Sequence, residues 1–339
     1  MKAYRLTPGA GLSGLERIDL PTPQPGPHEV VVRMRAAALN YRDLMFARGN
    51  YLNRGWEPLV PLGDGAGEVV ATGAAVTRFR PGDRVIHSYF PGWIDGEPDP
   101  AKTAGSFGTH FHGTLAEAFV VPEQALVAMP AHLDFAEAAT LSCAGTTAWN
   151  ALFAASGLQP GASVLLLGTG GVSILALQIA KAAGLRTVLT SSSDDKLARA
   201  RALGADATIN YRTTPDWQHE VLRLTGGRGV DLTLEVGGEG TFARSLAATR
   251  LGGTVALIGG VSGFGETTIA PLALIGGAKR IAGILVGSRA MLEALARFVE
   301  VNRIRPVVDR VFAFDAAAEA YAHLEAGRHF GKVVVQGVE

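Results

Sequence analysis

Between Val164 and Lys181 the chain reads Val-Leu-Leu-Leu-Gly-Thr-Gly-Gly-Val-Ser-Ile-Leu-Ala-Leu-Gln-Ile-Ala-Lys. An apolar run of strand length, Val164 to Leu167, meets a glycine turn. A helical apolar pattern follows at once and closes near Gly184. No other feature constrains the fold as much. Small residues between a strand and a helix let the backbone approach a pyrophosphate, and the helix N-terminus offers amide donors and a positive dipole end. A glycine fingerprint alone is weak, but this one lies between strand and helix and opens a longer series. Gly168, Thr169, Gly170, Gly171 and Val172 are therefore the candidate dinucleotide contacts.

A strand–helix alternation surrounds the turn. Candidate strands are Ser163 to Leu167, Thr187 to Thr190, Ala207 to Asn210, Val230 to Glu235, Gly253 to Ile258 and Arg280 to Val286. Helical segments such as Asp195 to Leu203 and Thr241 to Thr249 fall between most of them. Six such strands predict an α/β fold with a doubly wound parallel sheet. Ligands bind at the carboxyl ends of strands in such sheets. Gly237, Ile258, Gly259, Val286 and Gly287 close the fourth, fifth and sixth strands and join the cofactor candidates. Before about Asp134 the texture differs: short apolar runs are punctuated by Gly and Pro, as in a compact β-barrel-like domain. A final helix (Ala316 to Glu325) and strand (Lys332 to Gln336) complete the chain.

At 339 residues the chain is long enough for two domains, and its 47% hydrophobic and 18% charged residues describe a soluble globular protein. No purely apolar run reaches eighteen residues, and the first residues lack a signal-peptide apolar stretch. The expectation is a cytoplasmic enzyme with no membrane partner. Net charge is zero, so no nucleic-acid partner is expected either. The single cysteine, Cys143, excludes an intrachain disulfide and a multi-cysteine structural zinc lobe.

Several motifs in order resemble the medium-chain dehydrogenase/reductase superfamily over essentially the whole chain. They are Asn40-Tyr41-Arg42-Asp43, Arg48-Gly49-Asn50-Tyr51, Pro61-Leu62-Gly63-Asp64-Gly65-Ala66-Gly67, Gly82-Asp83-Arg84-Val85, Cys143-Ala144-Gly145-Thr146-Thr147-Ala148-Trp149 and His329-Phe330-Gly331-Lys332-Val333-Val334. Within it the likeness is to zinc-free alcohol dehydrogenase-like members and quinone oxidoreductases. The resemblance implies a GroES-like catalytic domain, here 1–127 with 300–339, and a Rossmann dinucleotide-binding domain, 128–299. It also implies a C-terminal tail returning to the first domain, an active-site cleft between domains, and usually a dimer or tetramer; a homodimer is expected.

Zinc-dependent relatives place a Cys where this chain has Asn40, a His where it has Gly63, and a third ligand at Cys143. Catalytic zinc wants three protein ligands and an open position. Asn40 is a poor ligand and Gly63 has no side chain, so no zinc is expected. The Ser or Thr that relays a proton in zinc members is Arg42 here. His110 and His112 lack partners for a metal site and read as loop histidines.

The second strand ends Thr190-Ser191-Ser192-Ser193. NAD-selective sites usually carry an acidic residue there. Small hydroxyl residues leave room for a ribose 2′-phosphate, and Lys196 can supply charge. In NADPH-dependent quinone oxidoreductases the matching small residue, Lys and Tyr surround this phosphate, which adds Ser191, Ser192, Lys196 and Tyr211 to the candidates. Asp194 and Asp195 argue for NADH, or simply complement a helix dipole behind a Ser193 cap. NADPH is preferred over NADH.

Hydride transfer belongs to the cofactor, and the protein must position and polarise the acceptor. Asn40 can bond a substrate oxygen, or hold a turn. Tyr51 can donate a proton, or act as an aromatic lid. Asp43 reads as an organiser, Thr147 as a residue near the nicotinamide, and Arg42 as an anion contact or a partner of Asp43. Cys143 reads as a small buried apolar group rather than a nucleophile. Phe90, Trp93 and Phe111 are pocket walls or core. The expectation is a zinc-independent oxidoreductase passing hydride from NADPH to a small quinone, enone or related carbonyl compound. The alternatives are an NAD(P)-dependent alcohol dehydrogenase acting on small alcohols and a non-catalytic NADPH-binding redox sensor.

Overall fold

The computed structural model describes residues 1–51 and 57–337. Two compact units are present, Met1–Thr146 with Val286–Glu339, and Thr147–Leu285.

The first unit is β-rich. Its strands up to the crossover are β1 (Lys2–Leu6), β2 (Leu15–Asp19), β3 (Glu29–Leu39), β4 (Asp64–Thr72), β5 (Arg84–His87), β6 (Ala118–Pro122) and β7 (Leu126–Ala128). β3 carries eleven residues, most of them buried and small or β-branched, which suits a strand packed on both faces. It pairs antiparallel with β4 and β6.

The second unit is a parallel sheet of β8 (Ser163–Leu167), β9 (Arg186–Ser191), β10 (Ala207–Asn210), β11 (Val230–Glu235), β12 (Thr249–Leu257) and β13 (Arg280–Gly283). The order is β10-β9-β8-β11-β12-β13, so strand order reverses beside β8, whose end carries the glycine turn. The helix after it, Gly171–Ala182, is built of Leu, Ile and Ala and buries Ile174, Leu175, Leu177 and Ile179. It stops at Gly184, which takes φ +72° while its N–H reaches Lys181 O and that of Leu185 reaches Ala180 O, a paired C-terminal closure that favours glycine.

The last two strands, β14 (Val308–Phe312) and β15 (Lys332–Gln336), rejoin the first unit. β15 lies antiparallel to β3, with Val333 opposite Leu39 and Val335 opposite Ala37. The sheet order is β14-β15-β3-β4-β5-β7, with β6 also on β3. Val333, Val334 and Val335 are fully buried, each burial contributing about 2 kcal/mol. The tail thus returns to the N-terminal sheet, as the resemblance implies. Several expected elements shift by one residue at their ends, β9 among them, and two strands shift by more. β12 starts four residues early, at Thr249, through an irregular register opposite Val230–Leu232. β13 stops at Gly283 instead of Val286; Val286 itself takes φ +48°, which an extended strand cannot include.

Candidate active site

The candidate pyrophosphate residues lie in the second unit. Gly168 takes φ +72°, and a Cβ added at Gly168 or Gly170 would meet nothing within 4 Å. The turn is therefore open above its backbone, as a phosphate cradle must be. Gly170 caps the helix without a side chain, so the first-turn amides stay available to an anion. Thr169 is buried, and Ser173 anchors the turn by donating to Leu167 O at 2.6 Å. These residues fit a dinucleotide.

The Ser191–Tyr211 set is brought together by sheet pairing. Asn210 is opposite Ser191, and Tyr211 N–H donates to Ser191 O at 3.0 Å. Ser193 caps the helix Asp194–Ala202 by accepting from Lys196 N–H at 3.4 Å. Lys196 thus stands in the first turn directly after Ser191 and Ser192. Asp194 is engaged elsewhere: it accepts from the Asn210 amide at 2.9 Å.

Glu235 organises the carboxyl ends of β11 and β12, and sequence reasoning missed it. It is fully buried and accepts from Gly237 N (2.6 Å), Gly238 N (3.0 Å), Thr241 Oγ1 (2.6 Å) and Ser245 Oγ. Its backbone oxygen accepts from Ile258 N and Gly259 N. Gly237, Ile258 and Gly259 are therefore tied to a single residue, the first through its carboxylate and the other two through its backbone oxygen. Four donors compensate the cost of burying it. Thr147 is buried at the start of a helical turn, Thr146–Trp149, just after a π-helical segment, Leu141–Gly145, that carries Cys143. Such wide turns recur at functional sites.

The first unit holds a buried polar cluster. The helix Tyr41–Ala47 begins after β3, and Asn40 is its N-cap. Asp43 reaches back to accept from Asn40 N–H at 2.7 Å, one half of a capping box. The Asn40 amide faces other partners. Its Nδ2 donates to Asp64 Oδ2 at 2.9 Å, and its Oδ1 accepts from Lys332 Nζ at 2.6 Å. Lys332 Nζ also donates to Leu39 O at 2.6 Å and lies 3.5 Å from Asp64 Oδ2. Arg42 Nε lies 3.5 Å from Asp43 Oδ1, while Nη2 donates to Phe107 O at 2.7 Å and Nη1 to Thr109 Oγ1 at 3.2 Å. Two acidic and two basic side chains, all buried, thus balance in charge. Burial works against the Arg42 charge, but Tyr89, Asp43 and Tyr51 outweigh it and raise its pKa. Burial pushes Asp43 above the usual carboxylate range, with Arg42 opposing.

The Arg42 guanidinium also stacks 4.7 Å above the Tyr89 ring. The Tyr89 hydroxyl is 3.4 Å from that of Tyr51. Burial raises the Tyr89 pKa well above that of free tyrosine. Tyr89, Phe90 and Trp93 form an apolar cluster joined by Cys143, Val286 and Met291. Val286 and Gly287 thus stand beside this aromatic wall, Val286 in a strained left-handed conformation. Phe111, also read as a wall, is not in this cluster: it is half exposed and rests on Phe107. His87 is buried between Phe107 and Phe119, and burial lowers its pKa, which favours the neutral ring. Among the described residues, Asp64 Oδ1 and His87 Nε2 find no hydrogen-bond partner.

Donor chemistry at four positions tests the fit of a catalytic zinc. A Cβ at Gly63 would overlap Arg42 Nη2, so a cation fills the space that a ligand at 63 would use. Asn40 is committed to Lys332 and Asp64. Cys143 is the one thiol at these positions, and desolvation pushes its pKa up to about 12. Asp64 is the one carboxylate at these positions, and it faces Lys332. These residues do not fit a three-ligand zinc site.

Sequence reasoning also missed Tyr89 and the roles of Lys332 and Asp64. A lysine opening an apolar strand is the only local sign of Lys332. Its partners are 268 to 293 positions away.

Comparison with known proteins agrees with this architecture. Residues 26–131 match the alcohol dehydrogenase GroES-like domain, and residues 171–300 match the family described as zinc-binding dehydrogenase. The chain is a member of the medium-chain dehydrogenase/reductase superfamily, an oxidoreductase family that uses a nicotinamide cofactor. It is 42% identical over 333 residues to a zinc-type alcohol dehydrogenase-like protein of Schizosaccharomyces pombe, covering 96% of each chain. It is 32% identical to a quinone oxidoreductase of Pseudomonas aeruginosa over 95% of each. A solved NAD-dependent alcohol dehydrogenase superposes with a TM-score of 0.91 at 40% identity, covering 100% of both chains. Among the described residues no helix is long and apolar enough to cross a membrane.

Proposed function

We propose that this chain is a zinc-independent, NADPH-preferring reductase of quinones, enones or related carbonyl compounds. The observation that carries the reading is the Arg42–Gly63 fit, which puts a fixed guanidinium where a metal ligand would stand. Without a metal, an acceptor oxygen must be polarised by hydrogen-bond donors. Asn40 and Tyr51 are the proposed donors, Asp43 holds the turn that carries Asn40, and Thr147 serves beside the nicotinamide. The bound cofactor supplies the hydride.

Gly168, Thr169, Gly170, Gly171 and Val172 are proposed to hold the pyrophosphate, with Gly237, Ile258, Gly259, Val286 and Gly287 as further cofactor contacts. Ser191, Ser192, Lys196 and Tyr211 are proposed to hold the 2′-phosphate. Support comes from the serine-rich end of β9 and from Asp194, which is tied to Asn210. The NAD-dependent solved relative keeps an alcohol dehydrogenase with NAD as the second reading.

A cytoplasmic homodimer is part of the proposal. β13 is an edge strand, and Phe264, Leu272, Ile275 and Ile281 expose apolar surface in the same unit. An unpaired apolar edge favours association with a second copy. Nucleotide titration followed by a screen of quinones and enones with NADPH tests the reading. Turnover supports it; tighter NADH binding with alcohol oxidation would replace it by the second reading.

A further inference from the structure

Asn40 is the proposed acceptor contact, and the residue that orients it enters from the far end of the chain. Lys332 opens β15 and is 3% exposed. An ammonium has three N–H bonds and no acceptor. Three oxygens face this one: Leu39 O and Asn40 Oδ1 at 2.6 Å, and Asp64 Oδ2 at 3.5 Å. On the other side of the amide, Asp64 Oδ2 accepts from Asn40 Nδ2 at 2.9 Å.

These two neighbours leave the amide one orientation. Its oxygen must face the ammonium, which can only donate. Its nitrogen must face the carboxylate, which accepts. A reversed amide would set N–H against ammonium and C=O against carboxylate, both repulsive. The amide oxygen and one N–H are therefore engaged inside the protein. The second N–H is the capacity left for a ligand. A cation on the oxygen also polarises the amide and strengthens that N–H as a donor.

We infer that Lys332 is the positioning residue for Asn40: with Asp64 it holds the amide so that Asn40 presents a donor, and the matching ligand is an acceptor oxygen such as a carbonyl or quinone oxygen. The inference rests on the reductase reading and adds a residue and a ligand polarity to it. Lys332 does not hold the strand in place by itself. Val333–Gln336 pair with Ala36–Leu39 through backbone bonds, and the three valines bury the strand.

The test uses the full chain and the variants Lys332→Met, Asn40→Ala, the double variant of these two, and Lys332→Met/Asp64→Asn. The last keeps the buried cluster free of an uncompensated carboxylate, so it folds even where Lys332→Met alone fails. Nitrogen-15 NMR of the asparagine side chains, with Asn40 identified by its loss in Asn40→Ala, reads the amide directly. The expected result is a shifted and faster-exchanging Asn40 amide pair in Lys332→Met/Asp64→Asn. With NADPH and 1,4-benzoquinone or 2-cyclohexenone, kcat is expected to fall about 100-fold in Lys332→Met and in Asn40→Ala, with KM for NADPH unchanged. The Lys332→Met/Asn40→Ala double variant is expected to be no slower than Asn40→Ala alone, because the two act as a unit.

Unchanged Asn40 amide signals overturn the inference. So do losses that multiply in the double variant, which mark Lys332 as acting apart from Asn40. A wild-type protein that reduces no carbonyl acceptor overturns the functional reading instead, and the amide signals then still decide the clamp.

Discussion

The guanidinium of Arg42 fills the space in front of Gly63, so that a Cβ at Gly63 would overlap its Nη2. A side chain at 63 would meet both this guanidinium and the Phe107 backbone oxygen. The Arg42–Gly63 pair turns a ligand position into a buried cation that bonds Phe107 O and Thr109 Oγ1 and stacks on Tyr89. The Gly63→Ala change is expected to push the guanidinium off these partners and to cost about 1–3 kcal/mol in urea unfolding, with a fall in activity. In an Arg42→Ala background the same change is expected to cost less, because only the approach to Phe107 O then remains. Equal costs in both backgrounds would break the proposed fit.

Lys196 follows Ser191 and Ser192 in the helix turn capped by Ser193. If it meets the 2′-phosphate, Lys196→Ala removes one charge-assisted bond, about 1.5–3 kcal/mol. NADPH affinity should then fall by roughly 10- to 100-fold, while NADH binding stays unchanged. Fluorescence titration with both nucleotides measures this. Equal weakening for both would place Lys196 outside the phosphate contact.

Cys143 is expected to be inert. Desolvation pushes its thiol up to about 12, with Asp64 adding to the rise, so at pH 8 the thiolate is a trace species. Iodoacetamide at pH 8 should leave the folded protein unmodified and alkylate the urea-unfolded chain at the ordinary rate. Mass spectrometry reads both. Rapid labelling of the folded protein would show that the site is electropositive enough to ionise the thiol.

Asp231 ties β8 to β12. It accepts from Ser163, Arg228 and Arg250. Burial raises its pKa, but these hydrogen bonds outweigh that and hold it below the usual carboxylate range. The folded pKa lies below the unfolded value near 3.9, so the carboxylate stabilises the fold above about pH 4 and loses that effect as pH falls through the folded pKa. Asp231→Asn should cost about 2 kcal/mol at pH 7, and its deficit should shrink below pH 4. Urea unfolding of both proteins between pH 3 and 7 checks the sign. A deficit that grows on acidification would contradict it.

Several strands were legible because their signals are local. The runs Ser163–Leu167, Ala207–Asn210, Val230–Glu235 and Lys332–Gln336 are apolar or β-branched and bounded by turns, and each forms a strand with those ends. Strand ends failed where backbone conformation overrides composition, as at Val286. Asn40, Asp43 and Tyr51 were found as residue types in motifs, and the structure puts Asn40 and Asp43 in one buried cluster. Their partners were not legible. Lys332 meets Asn40 only because β15 lies on β3, and Tyr89 meets Tyr51 across 38 residues. Glu235 looked like the last residue of a strand, and only the four donors on its carboxylate and the two on its backbone oxygen mark it as the knot of two glycine turns.

The measurement that tests the central claim most directly is NADPH-dependent quinone and enone reduction by the purified protein, before and after exhaustive chelation, with zinc measured in each sample. The account predicts undiminished turnover at zinc far below one per chain. Activity lost on chelation and restored by added zinc would contradict it, because the Arg42–Gly63 fit leaves that ion no place to bind.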